Sequence, residues 1–122
     1  MKKLILLLSV LVFGFSVLSQ DHSKMQSAYI YHFTKYMEWP SHKQSGDFVI
    51  AVIGNSAIYD HLVTMSHTKK VGARKIIVKK YENVSSVTSC HMIFLSSAKS
   101  TQLNSAITKA KTNHALIITE KT

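Results

Sequence analysis

The chain has one cysteine, one proline and four glycines in 122 residues, and only 6 acidic residues against 15 basic ones. A lone thiol, Cys90, excludes an internal disulfide. It lies just before Met92-Ile93-Phe94-Leu95, a setting for a buried, inert thiol, because a reactive thiolate needs an exposed, electropositive site. So few glycines leave no GxGxxG fingerprint and no phosphate-binding loop. The acidic residues are widely spaced, so no carboxylate pair is placed for acid/base work. Of the 7 histidines, His61 and His67 share one helical segment but miss the i, i+4 spacing of zinc helices. His32, His42, His91 and His114 fall in separate elements and match no ligand spacing. No catalytic, cofactor-binding or metal-binding set is legible, and the expectation is a protein without enzymatic activity.

One long apolar run is present. Leu4 to Val17 follows Lys2 and Lys3 and leads into Val17-Leu18-Ser19, the pattern of a secretory signal over residues 1–19 cleaved before Gln20. The run is shorter than the roughly 20 residues that cross a bilayer. No cysteine follows it to carry a lipid anchor. The chain is therefore expected to be exported, with no transmembrane segment after cleavage and residues 20–122 forming a single domain. Export changes the meaning of the +9 net charge. In a cytoplasmic protein that excess points to nucleic acid, which an exported protein scarcely meets. A solvated basic face is the plain reading, with an acidic protein patch or an anionic membrane as sharper ones.

Beyond the leader the hydrophobic period switches repeatedly. Ser23-Lys24-Met25-Gln26 reads as a capping box, and Met25, Ala28, Tyr29, Phe33, Tyr36 and Met37 form one helical stripe that Pro40 ends. Asp47 to Ile53 suits a buried strand, Gly54-Asn55-Ser56 a turn, and Ile58, Leu62 and Met65 one face of a second helix. Arg74 to Tyr81 alternates partially, as an edge or half-exposed strand does. Asn83 to Ser89 reads as a polar connection. His91 to Ser96 is a third strand, Ser100 caps a helix carrying Leu103, Ile107 and Ala110, and Ala115 to Thr119 is a fourth strand. The alternation predicts an α/β fold: a small layered sheet, at least partly parallel, flanked by helices.

Five aromatics crowd Ala28 to Pro40, more than one buried stripe needs, so some must face another element or a partner. Tyr29, Phe33, Tyr36, Trp39 and Pro40 are the candidate structural or partner-binding residues. Trp39 has two competing roles, as a lock of the helix end on the sheet or as an interface hot spot.

Four segments in order, AYIYHFTKYMEWP, FVIAVIGNSAIYDHL, GARKIIVKKY and SCHMIFLSS, resemble the YfiR family (DUF4154) across most of Met25 to Thr119. The most distinctive parts are the pattern of Tyr29, Phe33, Trp39 and Pro40 and the run from Cys90 to Leu95; neither is catalytic. The resemblance implies a small periplasmic α/β protein, often dimeric, whose output is a protein contact. Its best-understood relatives bind the periplasmic sensor portion of an inner-membrane diguanylate cyclase and hold it inactive until redox or envelope stress. Relatives continue past the strand matching Ala115 to Thr119, so the chain is expected to lack the family's C-terminal part. Redox-sensing relatives use disulfides, for which Cys90 has no partner within the chain. The runner-up function is a periplasmic small-ligand binding module using the crevice near Gly54 and Ser96-Ser97, where open α/β sheets hold ligands. A hydrolase built on Ser96 or Cys90 ranks third.

Overall fold

The computed structural model describes residues 22–120, so the leader read over residues 1–19 lies outside the described residues. Helix α1 spans 22–36 and is followed by a linker that makes one short 3-10 turn, Ser41–Lys43. Then come β1 (Phe48–Ile53), α2 (Ile58–Thr68), β2 (Lys70–Val71), β3 (Arg74–Tyr81), β4 (Met92–Leu95), α3 (Leu103–Asn113) and β5 (Leu116–Thr119). The strands form one sheet in the order β2-β3-β1-β4-β5. β1 pairs in parallel with β3 and β4, and β4 with β5; only β2 is antiparallel, folded back on β3 through a turn at Gly72. This is the mixed α/β fold expected from the alternation of periods.

The central strands are apolar on both faces because helices cover both, the usual pattern of a parallel sheet. On one face Phe48, Ile50, Val52, Ile76, Met92 and Phe94 pack with Ile30 and Trp39 from the α1 region and with Ile58 and Leu62 from α2. On the other, Ala51, Ile53, Ile93 and Leu95 meet Val84, Val87, Cys90, Ala106 and Ala110. The β3–β4 connection is thus less polar than its sequence suggests, since Val84 and Val87 are both buried. A 3-10 segment, Ser97–Gln102, precedes α3, so Ser100 lies inside that segment and does not cap the helix.

Two helices sit differently from the expectation. In α3 Ala106 joins the expected Ala110 against the sheet, while Leu103 and Ile107 are partly exposed, at 39% and 36%. In α1 the buried positions are Ser27, Ile30 and Thr34, and the apolar stripe of Met25, Tyr29 and Phe33 faces solvent. Small side chains on the inner face bring a helix close to the sheet. The hydroxyls tolerate burial because Ser27 Oγ donates to the Lys24 carbonyl at 2.7 Å and Thr34 Oγ1 to the Tyr31 carbonyl at 2.5 Å.

Candidate partner-binding surface

α1 presents a row of large side chains without intramolecular cover. Tyr36 is 81% exposed, Tyr29 59%, Met25 53% and Phe33 50%, and Met37 continues the row past the helix end. Single exposed apolar residues are ordinary, but a contiguous row marks an interaction surface. Aromatic and methionine side chains are also the ones enriched at interface cores.

Trp39 and Pro40 do something else. Trp39 is buried, its ring edge-on to Phe48 with centroids 4.9 Å apart, and its Nε1 donates to the His91 carbonyl at 3.4 Å. Gln44 Nε2 donates to the Trp39 carbonyl at 2.7 Å, and Pro40 opens the 3-10 turn by accepting from Lys43 N–H at 2.8 Å. The structure therefore divides the sequence-predicted residues: Tyr29, Phe33 and Tyr36 lie on the open surface, whereas Trp39 locks the end of α1 to the sheet.

The lock rests on His91, which sits where β1, β3 and β4 begin. Its Nδ1 accepts the Val49 N–H at 3.1 Å, which leaves the proton of the neutral ring on Nε2, where it is donated to the Lys43 carbonyl at 3.0 Å. The ring stacks on Phe48 with centroids 4.8 Å apart. Arg74 Nη2 lies 2.8 Å from Nε2, and its guanidinium also donates to the Gly46 carbonyl at 2.9 Å, tying the linker to the start of β3. Burial, joined by the charges of Lys43 and Arg74, pushes the imidazole down to about 4, although its bond to the Lys43 carbonyl works the other way. Arg74 and Lys43 are thus structural, not part of a solvated basic face; Lys43 Nζ donates to the Cys90 carbonyl at 2.8 Å. Sequence reasoning missed this hub because its bonds join residues 17 to 52 positions apart.

Cys90 is fully buried, and burial raises its thiol to about 11 against the smaller opposing influence of Lys43 and Lys109. The thiol is buried, as expected. Ser96 is buried too, its Oγ donating to the Ile53 carbonyl at 2.5 Å, so it is not presented as a nucleophile. His42 and His114 meet edge-on at 5.2 Å, but no group of three or more His, Cys, Asp or Glu among the described residues is placed to hold a metal ion.

The crevice at the carboxyl ends of β1 and β4, reserved in sequence for a ligand, is filled by the chain itself. Gly54 adopts a φ of +83°, and a Cβ there would lie 2.3 Å from Ser96 Oγ and 2.6 Å from Lys99 Cγ. Glu120 spans the opening: one carboxylate oxygen accepts from Ser97 N–H and Ser97 Oγ, both at 3.0 Å, and the other from Ser56 Oγ. Desolvation opposes its ionisation, but those donors outweigh it and hold the carboxyl below its usual range. The space left beside Ser96 and Glu120 is about 180 Å³, below the size of typical small-molecule sites.

With this geometry in hand, comparison with known families is decisive. A family profile described as YfiR/HmsC-like (DUF4154) matches residues 23–122. The chain belongs to the YfiR/HmsC-like family. The match covers every element described above, from α1 to β5. No curated protein and no solved structure matches the chain. Membership in the YfiR/HmsC-like family is consistent with a periplasmic, non-enzymatic regulatory role. No described helix is long and apolar enough to cross a membrane.

Proposed function

We propose that this YfiR/HmsC-like chain is a periplasmic regulator that binds the sensor portion of an inner-membrane signalling protein, of the diguanylate cyclase type, through the outer face of α1. On this reading residues 1–19 are a cleaved signal and residues 20–122 the single working domain. The observation that carries the proposal is the uncovered row of Met25, Tyr29, Phe33 and Tyr36 on a helix whose inner face is already satisfied. Tyr29, Phe33 and Tyr36 make the contact, with aromatic rings giving large area at low entropic cost. Trp39 and Pro40 hold the helix in place, and Cys90 takes no part in a thiol switch. The runner-up small-ligand module loses the crevice it relied on.

The test is capture of a diguanylate cyclase sensor domain by the mature protein, comparing wild type with the triple variant Tyr29→Ser, Phe33→Ser, Tyr36→Ser. The variant is expected to keep its melting temperature and lose capture. Equal capture by both proteins would remove α1 from the interface. Self-association that the triple variant abolishes, with no capture of the sensor, would reassign the row to a homodimer. Intact mass from the periplasmic fraction tests the leader, with a product beginning at Gln20 as the expected result.

A further inference from the structure

On the flank of α1 that turns toward α2, away from the aromatic row, the two helices enclose a groove of about 390 Å³. Its rim carries Lys24 and Lys35 from α1 and Lys69 just past the end of α2, with His32 and His61 between them. Ala28, Tyr31 and Met65 line it with Thr64, while the hydroxyls of Ser27 and Thr68, which also border it, donate to the Lys24 and Met65 carbonyls. No carboxylate lines it. Among the described residues the one ion pair is Lys99–Glu82, which involves none of these lysines, so no described acid pairs with them.

Two of the ammonium groups converge on a single ring. Lys35 Nζ lies 4.8 Å and Lys69 Nζ 5.6 Å from the Tyr31 centroid. Attraction to the ring offsets part of their mutual repulsion but neutralises neither charge. An anion between them would relieve that repulsion. The groove is too small for a folded partner, and its volume lies in the range of small-ligand sites. Two ammonium groups drawn to one ring, with no carboxylate beside them, suit a doubly charged tetrahedral anion, and lysine is a common phosphate ligand.

We propose that the groove between α1 and α2 binds a phosphate monoester or phosphodiester headgroup, the phosphoryl group held by Lys35 and Lys69 and the organic part laid on Tyr31, Ala28 and Met65. The site is separate from the aromatic row of the proposed interface but shares its helix. A ligand here therefore touches the element that carries the partner contact.

The experiment titrates the mature protein with glycerol 3-phosphate, following amide shifts by NMR, and in parallel measures co-sedimentation with phosphatidylcholine vesicles with or without phosphatidylglycerol. Lys35→Glu and Lys69→Glu are the test variants. Lys111→Glu, an equal charge change on exposed α3, is the control. Saturable shifts at Ala28, Tyr31 and Met65 that weaken at least about tenfold in both test variants and not in the control support a soluble ester. Phosphatidylglycerol-dependent sedimentation with the same variant pattern, and no response to the free ester, supports a lipid headgroup. No response to either probe, or equal losses in Lys111→Glu, overturns the site.

Discussion

Acidification should destabilise this domain through His91. The imidazole is buried against Phe48, donates to one carbonyl and accepts one amide N–H, so a second proton would cost the Val49 bond and place a charge beside Lys43 and Arg74. Its folded value of about 4 lies below the ordinary 6.5. Between those values the unfolded chain binds a proton that the folded chain refuses, so stability rises with pH across that window and is constant, for this group, above it. At about 1.36 kcal/mol per pH unit the full difference is about 3 kcal/mol, of which about 2 kcal/mol is lost by pH 5. In a domain near 100 residues that is a fall of about 8–16 °C in melting temperature. Glu120, held below its usual range, contributes stability that is lost only at more acidic pH, as its folded carboxyl takes up a proton, so its effect is separable. Urea unfolding from about pH 7.5 to about pH 5 measures the slope, and His91→Gln should flatten it while lowering stability throughout. NMR titration of the His91 ring provides the direct check. A stability that stays level over that range, or a ring that titrates near 6.5 in the folded protein, refutes the reasoning.

Gly54→Ala forces an L side chain into a left-handed backbone and against Ser96 and Lys99; about 2–4 kcal/mol of destabilisation is expected in urea, and a change within about 0.5 kcal/mol would contradict the packing. Trp39→Ala removes a buried ring and should cost about 3–5 kcal/mol, a large share of a small domain's stability, whereas Trp39→Phe keeps most of the contact with Phe48 and should retain a cooperative melt. Cys90 should resist a thiol reagent in the native protein and react once urea unfolds it; labelling of the folded chain at the rate of a free thiol would show that the site opens.

What the sequence made legible is what depends on local period. Asp47 to Ile53 and His91 to Ser96 were readable because parallel strands covered on both faces are short, nearly continuous apolar runs, and Arg74 to Tyr81 because its partial alternation matches a half-exposed strand. The two-residue β2 was not, since Lys70–Val71 owes its strand conformation to pairing with Arg74 and Lys75 across Gly72. Periodicity located the stripe of α1 correctly but carried no sign of direction. A helix with large apolar residues on one side ordinarily turns that side inward, and here Ser27, Ile30 and Thr34 take the inner place. In α3 Ala106 and Ala110 lie against the sheet while Leu103 and Ile107 are partly exposed. The crowding of aromatics before Pro40 did signal that one buried stripe could not absorb them all. The hub at His91 and the carboxylate clasp of Glu120 gave no signal, because both depend on contacts between residues remote in sequence.

On the proposed interface, the inversion of α1 separates stability from recognition. Tyr29, Phe33 and Tyr36 are exposed in the isolated domain, so their removal takes little from the core, and surface substitutions of that kind usually stay within about 0.5 kcal/mol. Their apolar area stabilises something only when another surface covers it, at roughly 25 cal/mol per Å². The helix that carries them is tied to the sheet at its C-terminal end by Trp39, and Trp39 is tied to His91. Loss of the Trp39 ring is therefore expected to free the C-terminal end of α1 while leaving the exposed residues themselves unchanged.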